Sequence, residues 1–329
     1  MPQGCVRRRE SRIVFGMSGE LEIIAAIRRA AQSRDSRVRL GIGDDCAILR
    51  VPRGHELLVT TDLSLEGRHF RRDWHTARAV GHRTLARGLS DIAAMGGEPM
   101  AAFLSLALPK AMVHTRWAAE FMDGLLGLAR AAGVTLAGGD TAESSGGVIA
   151  DIVLTGSAPA GMALRRSGAK AGDFLFVTGA LGGAAAELAM LAKRPRGFAK
   201  AVSGAHLFPQ PRLAVGMALR KRKIATACID VSDGLSTDLA HLCAESKCGA
   251  LVDAGVLPVH AAASLEQALH GGEDYELLFT ARASTRVPKT IAGVAVTKIG
   301  VMVKGRGVKM VEANGKKIAL KAQGWEHFK

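Results

Sequence analysis

The sequence predicts a two-domain protein of the α/β class, with its strands and helices in α+β layers. The chain has 329 residues, which is more than one domain usually holds. Short apolar or β-branched runs alternate with longer, Ala-rich segments of helical periodicity. The segment 158–161, Ala-Pro-Ala-Gly, follows an apolar strand and suits a domain boundary. We therefore expect a basic tail over 1–17, an N-terminal domain over 18–158 and a C-terminal domain over 159–329.

The first half contains three candidate helices and several candidate strands. Helices are predicted at 20–31, 75–95 and 117–132, with Ser18 as N-cap of the first and Gly133 closing the third. The pattern predicts strands over 38–49 (two short strands interrupted by glycines), 56–61, 100–108, 134–139 and 148–157. Several of these strands end at aspartates.

The second half repeats a strand, loop and helix pattern. A strand at 174–179 leads through a glycine-rich step into a helix at 181–191. A second strand ends in the turn Ser232-Asp233-Gly234 and is followed by a helix over 235–244. A further strand is predicted at 275–280.

Composition limits the classes of function. Lys and Arg exceed Asp and Glu by 44 to 30, a net charge of +14 that would suit nucleic acid. The chain has only 10 Phe, 3 Trp and 1 Tyr, so it offers few platforms for stacking bases, and no nucleic-acid partner is expected. The sequence shows neither an 18-residue apolar run nor a signal-peptide core, so no membrane partner is expected. Five cysteines without a C-x-x-C pair suit reduced thiols in a cytoplasm.

Seven aspartates share a setting of Gly, Ser or Thr beside an apolar strand or helix. They are Asp44, Asp45, Asp62, Asp91, Asp140, Asp230 and Asp233. Any one of them could be a turn former or a helix N-cap. Seven such carboxylates converging on one cleft would repel one another unless hard cations lay between them. Oxygen ligands of this kind suit Mg²⁺, which commonly bridges to phosphates, so the set indicates a polyphosphate site.

The usual phosphate-binding motif is missing from the sequence. There is no G-x-x-x-x-G-K-[ST] loop and no protein-kinase motif set. Glycine-rich turns occur instead at 138–141, 179–183 and 271–274. Such turns let backbone N–H groups approach phosphate oxygens, although each alone also fits ordinary strand-to-helix geometry.

Nine motifs, however, follow one another along the chain. They are G-I-G-D-D-C-A (41–47), T-T-D (60–62), G-R-H-F (67–70), L-S-D-I-A-A-M-G (89–96), G-G-D-T (138–141), R-S-G-A-K-x-G-D (166–173), I-D-V-S-D-G-L (229–235), G-G-E-D-Y-E-L (271–277) and G-W-E-H-F (324–328). In this order they resemble the thiamine-monophosphate kinase family over roughly residues 18–329. The resemblance implies the two-domain fold of the aminoimidazole ribonucleotide synthetase superfamily, with an N-terminal sheet that pairs across a homodimer. It also implies ATP-dependent phosphorylation of thiamine monophosphate to thiamine diphosphate.

The resemblance assigns roles residue by residue. As Mg²⁺ ligands it implies Asp45, Thr60, Thr61, Asp62, Asp91, Asp140, Asp230 and Asp233, with Asp44 adjacent and supporting them. For ATP it implies Gly139, Arg166 and Ser232, and for thiamine monophosphate it implies His69, Glu273 and Trp325. An aromatic face and a carboxylate suit a cationic thiazolium, and an arginine suits a triphosphate. No dedicated catalytic residue is expected, because metal-assisted phosphoryl transfer needs positioning more than covalent chemistry.

The sequence departs from the family in two places, and alternatives stay open. Gly88 stands where many relatives have Asn, and the basic N-terminus is unlike the family. Another ATP-using enzyme of the same superfamily is the nearest alternative. One of these, selenophosphate synthetase, has a reactive Cys near its N-terminus. Cys5 lies in the basic tail, outside the motifs, which counts against this alternative. A basic nucleic-acid-binding protein is the alternative from a different class.

Overall fold

The computed structural model describes residues 20–31, 35–113, 115–193, 204–312 and 314–325. Within them the chain forms two halves, each a β-sheet with helices packed on it, so the predicted α/β class is confirmed. The predicted tail 1–17, the N-cap Ser18 and Cys5 lie outside the described residues.

The helices and strands of the first half lie where the sequence predicts them, except that two strands continue past the aspartates expected at their ends. Asp62 lies within His55–Leu65, and Asp140 lies within Thr135–Ser144. The helices are α1 (Glu20–Ala30), α2 (Ala77–Ala94) and α3 (Trp117–Ala132). The strands are β1 (Val38–Leu40), β2 (Ile48–Leu49), β3 (His55–Leu65), β4 (Glu98–Pro109), β5 (Thr135–Ser144) and β6 (Ile149–Pro159). One turn of 3₁₀ helix, Lys110–Met112, follows β4.

A four-stranded sheet with the order β3-β6-β4-β5 organises this half. The β3–β6 and β6–β4 pairs are antiparallel, and the β4–β5 pair is parallel. Helices α2 and α3 cover one face, where Ile152 and Leu154 of the sheet share a core with Leu89 and Phe121 of the helices. Alternate residues of β3 point to the other face.

Two glycines set the distance between α2 and α3. A Cβ atom on Gly81 would collide with the carbonyl of Phe121, and one on Gly124 would collide with the carbonyl of Arg78. The backbones of α2 and α3 therefore lie closer together than they could if any residue other than glycine stood at these two positions.

The second half contains four helices and eight strands among its described residues. The helices are α4 (Gly183–Lys193), α5 (Leu213–Lys221), α6 (Leu235–Ser246) and α7 (Leu265–His270), and Ala254–Val256 forms a 3₁₀ turn. The strands are β7 (Phe174–Thr178), β8 (Ala227–Val231), β9 (Gly249–Asp253), β10 (Glu276–Ala281), β11 (Thr290–Ile291), β12 (Val294–Val303), β13 (Val308–Val311) and β14 (Lys317–Ala319).

The sheet of the second half has the order β14-β13-β9-β12-β7-β10-β8, with β11 paired to β12. Its strand pairs are antiparallel except for β13 with β9.

The sequence analysis located β7, β8, β10, α4 and α6. It missed α5, α7, β9 and the strands β11 to β14.

Helix α2 joins the two halves. Its C-terminal residues Ala93 and Ala94 share a core cluster with Val215 and Leu219 of α5 and with Cys228 of β8. Fifteen of its eighteen residues are buried, among them the polar side chains of His82, Arg83, Thr84 and Ser90.

The four described cysteines are free thiols. Cys46 is exposed, whereas Cys228, Cys243 and Cys248 are buried. Burial raises the pKa of Cys243 to about 12, which keeps this thiol protonated and unreactive at neutral pH.

Candidate active site

A cleft of about 910 Å³ lies between the two halves and collects most of the residues singled out in the sequence. The first half contributes Asp62 of β3, His69 of the loop after β3, and Asp91 of α2. The second half contributes Asp230, Ser232, Asp233, Glu273 and Trp325.

Three carboxylates form the acidic end of this cleft. Burial raises the pKa of Asp62 to about 6, with further contributions from Asp91 and Asp151, against the opposing effect of Arg87. Burial and the neighbouring charges of Asp91 and Asp62 raise the pKa of Asp230 to about 7. Burial also raises the pKa of Asp91. The three groups thus repel one another as anions, and a cation between them would restore their charge.

Hydroxyl groups hold two of these carboxylates in place. Thr60 of β3 donates a hydrogen bond to Oδ2 of Asp91. Ser90 donates to Oδ2 of Asp230 over 2.7 Å, which ties α2 to the end of β8. Each carboxylate keeps further oxygen lone pairs for another partner.

The donor set fits Mg²⁺. The described residues contain no preformed group of three or more carboxylate, imidazole or thiol side chains around one metal position. Mg²⁺ does not need one, because it retains waters and takes one or two carboxylates together with substrate phosphates. Oxygen donors at the base of a cleft, with pKa values raised by burial and further by one another's charge, match that requirement.

The turn after β8 is organised by a residue that the sequence analysis missed. The buried carboxylate of Asp238 accepts hydrogen bonds from the backbone N–H groups of Ser232, Asp233 and Gly234 at 3.0, 3.0 and 3.1 Å. Its position in the first turn of α6, four residues after Gly234, is the sequence signal that would have found it. Asp238 therefore shapes the loop that presents Ser232 and Asp233 to the cleft.

A stripe on helix α2 was also missed. Arg83, Arg87 and Asp91 follow at intervals of four residues, so they share one face of the helix. Arg87 Nε lies 2.9 Å from Oδ1 of Asp62, and Arg83 Nη2 lies 2.6 Å from Oε1 of Glu273. The spacing of four residues is visible in the sequence, but the partners Asp62 and Glu273, which show what the arginines do, are known only from the fold.

The opposite end of the cleft carries the residues expected to bind the acceptor. The backbone N–H of Leu65 donates to Nδ1 of His69 over 2.9 Å. Burial alone would raise the pKa of Glu273, but Arg83 and His206 hold it well below its usual range, so this carboxylate is ionised. The backbone N–H of Trp325 donates to the backbone carbonyl of Asp233 at 3.1 Å, and 49% of the surface of Trp325 is exposed.

A second cleft, of about 590 Å³, contains the remaining predicted aspartates. It is lined by Asp44, Asp45, Gly139 and Asp140, together with the glycine-rich segment 41–43. Oδ1 of Asp44 accepts a hydrogen bond from the N–H of Asp45 at 2.9 Å, so Asp44 supports its neighbour. Gly139 has φ 145°, a conformation that glycine permits and other residues rarely adopt.

The two clefts are separated within one chain. The strand register places Asp62 opposite Ile152, Ile152 opposite Leu104, and Leu104 opposite Gly139. Three strand spacings of roughly 4.8 Å put Asp62 and the Gly139–Asp140 pair about 14 Å apart. The structure therefore brings Asp62, Asp91, Asp230 and Asp233 to one cleft and leaves Asp45 and Asp140 at the other.

Three predicted residues lie outside both cleft linings: Thr60, which contacts Asp91 from β3, Thr61 and Arg166. Thr61 is exposed and follows Thr60 on β3, so it points to the opposite face of the sheet. Arg166 is exposed, and its positive charge opposes the rise in the pKa values of Asp91 and Asp230, which places it within electrostatic reach of the acidic end.

One negative finding concerns membranes. In the part of the chain that the structure describes, no helix combines the length and the apolar character that crossing a bilayer requires.

Comparison with known proteins agrees with this geometry. The domain family "AIR synthase related protein, N-terminal domain" matches residues 43–158, and "AIR synthase related protein, C-terminal domain" matches residues 170–312. Thiamine-monophosphate kinase of Escherichia coli (strain K12) is 39% identical over 326 residues, covering 94% of this chain and 98% of that protein.

Two solved structures are similar over nearly their whole length. The crystal structure of thiamine-monophosphate kinase from Stenotrophomonas maltophilia K279a has a TM-score of 0.79 at 37% identity, covering 89% of this chain and 96% of that chain. The structure described as AaThiL complexed with AMPPCP and TMP has a TM-score of 0.74 at 31% identity, covering 94% and 97%. The resemblance drawn from the nine motifs is confirmed, and the chain belongs to the thiamine-monophosphate kinase family within the AIR synthase related proteins.

Proposed function

We propose that the protein transfers the γ-phosphate of ATP to thiamine monophosphate and so forms thiamine diphosphate. One observation carries the proposal: the half-buried carboxylates of Asp62 and Asp91 and the buried carboxylate of Asp230 face the same cleft as Glu273 and Trp325. The first group suits the metal-bound phosphates of a nucleotide, and the second suits a cationic heterocycle. A relative solved with AMPPCP and TMP supports both assignments. A cytoplasmic location is part of this proposal, because the reaction consumes ATP.

Mg²⁺ belongs to this proposal as the cation of the acidic end. The residues that would hold it are Asp62, Asp91, Asp230 and Asp233 with Thr60 at the acidic end, and Asp45 and Asp140 at the second cleft. The side chain of Thr61 points to the opposite face of β3, so the expectation that it is a ligand does not fit this structure. When bound, Mg²⁺ would neutralise the phosphate oxygens during transfer.

The side chains of the cleft perform the binding and orientation. Glu273 and Trp325 hold the heterocycles of the acceptor, and His69 lies on the wall beside them. Gly139, Arg166 and Ser232 are the proposed contacts to ATP; among them Ser232 lines the main cleft and Gly139 the second. Arg87 fixes the carboxylate of Asp62 and adds a permanent positive charge where phosphates would gather.

The acceptor phosphate is its own nucleophile in this mechanism. Its second pKa is about 6, so at neutral pH most of it carries two negative charges and needs no general base. The attacking oxygen approaches the γ-phosphorus in line with the bond to ADP, and the contribution of the protein is positioning and charge neutralisation.

An acceptor-selectivity assay tests the proposal. ADP formation is followed with thiamine monophosphate, with thiamine and with an aminoimidazole ribonucleotide precursor as alternative acceptors. We expect turnover with thiamine monophosphate only. Turnover with the aminoimidazole compound instead would favour another activity of the superfamily.

We further propose that the protein is a homodimer in which β3 of one copy lies beside β5 of the other. These are the two edge strands of the four-stranded sheet, and an unpaired edge is a template for association. The uncovered face of β3 exposes Leu57, Val59 and Leu63 at 45%, 58% and 48%, more apolar surface than a solvent-facing strand usually presents. Joining β3 to β5 of a partner would also bring Asp62 of one copy next to Asp140 of the other.

Subunit complementation tests this arrangement. Asp62→Asn and Asp140→Asn subunits are each expected to be inactive alone. A heterodimer would contain one intact site and one doubly damaged site, so random mixing during co-expression would restore about a quarter of wild-type activity. A purified heterodimer without activity would show that one chain supplies both aspartates.

A further inference from the structure

A buried ionic cluster lies behind the acceptor end of the cleft and joins the two halves. Arg83 of α2 donates from Nη2 to Oε1 of Glu273 over 2.6 Å. His206 Nδ1 lies 3.1 Å from Oε2 of the same carboxylate. Arg83 Nη1 also donates to the backbone carbonyl of His206, so the three residues form a closed group.

Of the three side chains in the cluster, that of Glu273 is the most accessible to a ligand, although His206 also borders the cleft. The side chains of Arg83 and His206 are 4% and 1% exposed, whereas that of Glu273 is 24% exposed and lines the cleft. Each carboxylate oxygen has two lone pairs, so one contact to each oxygen leaves two lone pairs for a ligand. Arg83 and His206 thus fix the carboxylate on its buried side, and its exposed side faces the cleft.

A second histidine fixes the orientation of His206. Nε2 of His75 lies 2.8 Å from Nε2 of His206, and the N–H of Arg71 donates to Nδ1 of His75 at 3.2 Å. Nδ1 of His75 also lies 3.0 Å from the carbonyl of Arg71, and Nη1 of Arg83 lies 3.1 Å from Nδ1 of His206, so the distances alone fit either pair of tautomers. The carboxylate of Glu273 favours a proton on Nδ1 of His206, and His75 then donates from Nε2 to Nε2 of His206. The imidazole of His206 is therefore set by its surroundings before any substrate arrives.

The backbone of Glu273 also needs support. Its φ is 68°, in the left-handed region that non-glycine residues seldom adopt. Its N–H donates to the carbonyl of Ser232 over 2.7 Å. The side-chain contacts to Arg83 and His206 hold the carboxylate on this strained segment in one position.

We propose that Arg83 and His206 are positioning residues that keep the carboxylate of Glu273 ionised and aimed at the amino or cationic group of the acceptor. The acceptor pocket is then complete only when α2 and the segment that carries His206 are packed together. This inference rests on the proposed function, because it assigns Glu273 to the acceptor.

A neighbouring contact allows a purely structural role to be distinguished. His82, the residue before Arg83 on α2, is buried and donates from Nε2 to the carbonyl of Pro209 at 2.8 Å. It ties the same helix to the same segment of the second half, and among the contacts described here it has none to Glu273. His82→Phe is therefore a matched control for the loss of a tether between the halves.

The experiment compares Arg83→Met, Arg83→Lys and His82→Phe in the full-length enzyme. For Arg83→Met we expect KM for thiamine monophosphate to rise by on the order of tenfold to a hundredfold, with KM for ATP within about twofold of wild type. Lysine keeps the charge and is expected to recover most of the loss. His82→Phe is expected to lower Tm and leave both KM values unchanged. Equal increases in both KM values, or the same increase in His82→Phe, would overturn the proposal.

A double-mutant cycle covers the case in which Arg83→Met folds poorly. Arg83→Met/Glu273→Gln removes both charges of the buried pair, so no uncompensated carboxylate remains. If Arg83 acts through Glu273, the double variant binds thiamine monophosphate, measured by calorimetry without ATP, as weakly as Glu273→Gln alone. Additive losses would contradict the inference. A wild-type enzyme without turnover on thiamine monophosphate would instead refute the proposed function.

Discussion

Removal of the Trp325 side chain is predicted to weaken binding of the acceptor selectively. The ring lines the cleft with 49% of its surface exposed. A Trp side chain offers about 250 Å², so roughly 120 Å² remains to be covered by a ligand. At about 25 cal/mol/Å² this area sets an upper limit of about 3 kcal/mol. A stacked heterocycle covers one face, and about half of that limit, ~1.5 kcal/mol, corresponds to roughly a tenfold loss of affinity.

Titration calorimetry with thiamine monophosphate and with a non-hydrolysable ATP analogue measures the effect in Trp325→Ala. Trp325→Phe serves as the control, because phenylalanine keeps an aromatic face and is expected to retain most of the affinity. Equal losses for both ligands, or a fall in Tm that accounts for both, would refute the stacking role. In that case the tryptophan side chain would only help to hold this segment, whose backbone N–H bond to the carbonyl of Asp233 the alanine variant keeps.

Three further predictions follow from the same geometry. Asp62→Asn and Asp140→Asn are each expected to abolish turnover and to leave the circular dichroism spectrum unchanged. Each removes a negative charge at a cleft without leaving a cavity. Asp123→Asn, on the exposed side of α3, is the control and is expected to keep its activity. Val59→Arg, on the exposed face of β3, is expected to convert the dimer to a monomer by light scattering, and an unchanged dimer would exclude this face. Glu273→Gln is expected to lower Tm by an amount that is constant above pH about 5.5 and that shrinks as the pH falls below 4.5. The reason is that a carboxylate with a lowered pKa stabilises the fold only while it is ionised. A difference in Tm that does not depend on pH would contradict the ion pair.

The first half of the fold could be predicted well because its local signals agree with its packing. The periodicity of α3 gives its bounds, Trp117–Ala132, and Gly133 ends it in the left-handed conformation. Strands β12 to β14 were missed because Lys and Gly interrupt their apolar pattern, and pairing within a sheet stabilises them instead.

The candidate site could be predicted in its residue types and only partly in its arrangement. Aspartates beside small residues indicated a site for cations and phosphates, and the structure gathers four of them in one cleft: Asp62 within β3, Asp91 in α2, Asp230 near the end of β8 and Asp233 just after it. The separation of Asp62 from Asp140 depends on the order of the strands, which local sequence does not encode. The arginines of α2 escaped notice because a buried arginine is visible only once its partner, distant in the chain, is known.

Direct transfer of phosphate between the two substrates is the central claim, and a labelling experiment tests it most directly. In a single turnover with ATP labelled at the γ-phosphate, the label is expected in the terminal phosphate of thiamine diphosphate at the rate of ADP formation, with none on the protein. Label retained on the protein, or release of labelled inorganic phosphate without thiamine diphosphate, would contradict the account.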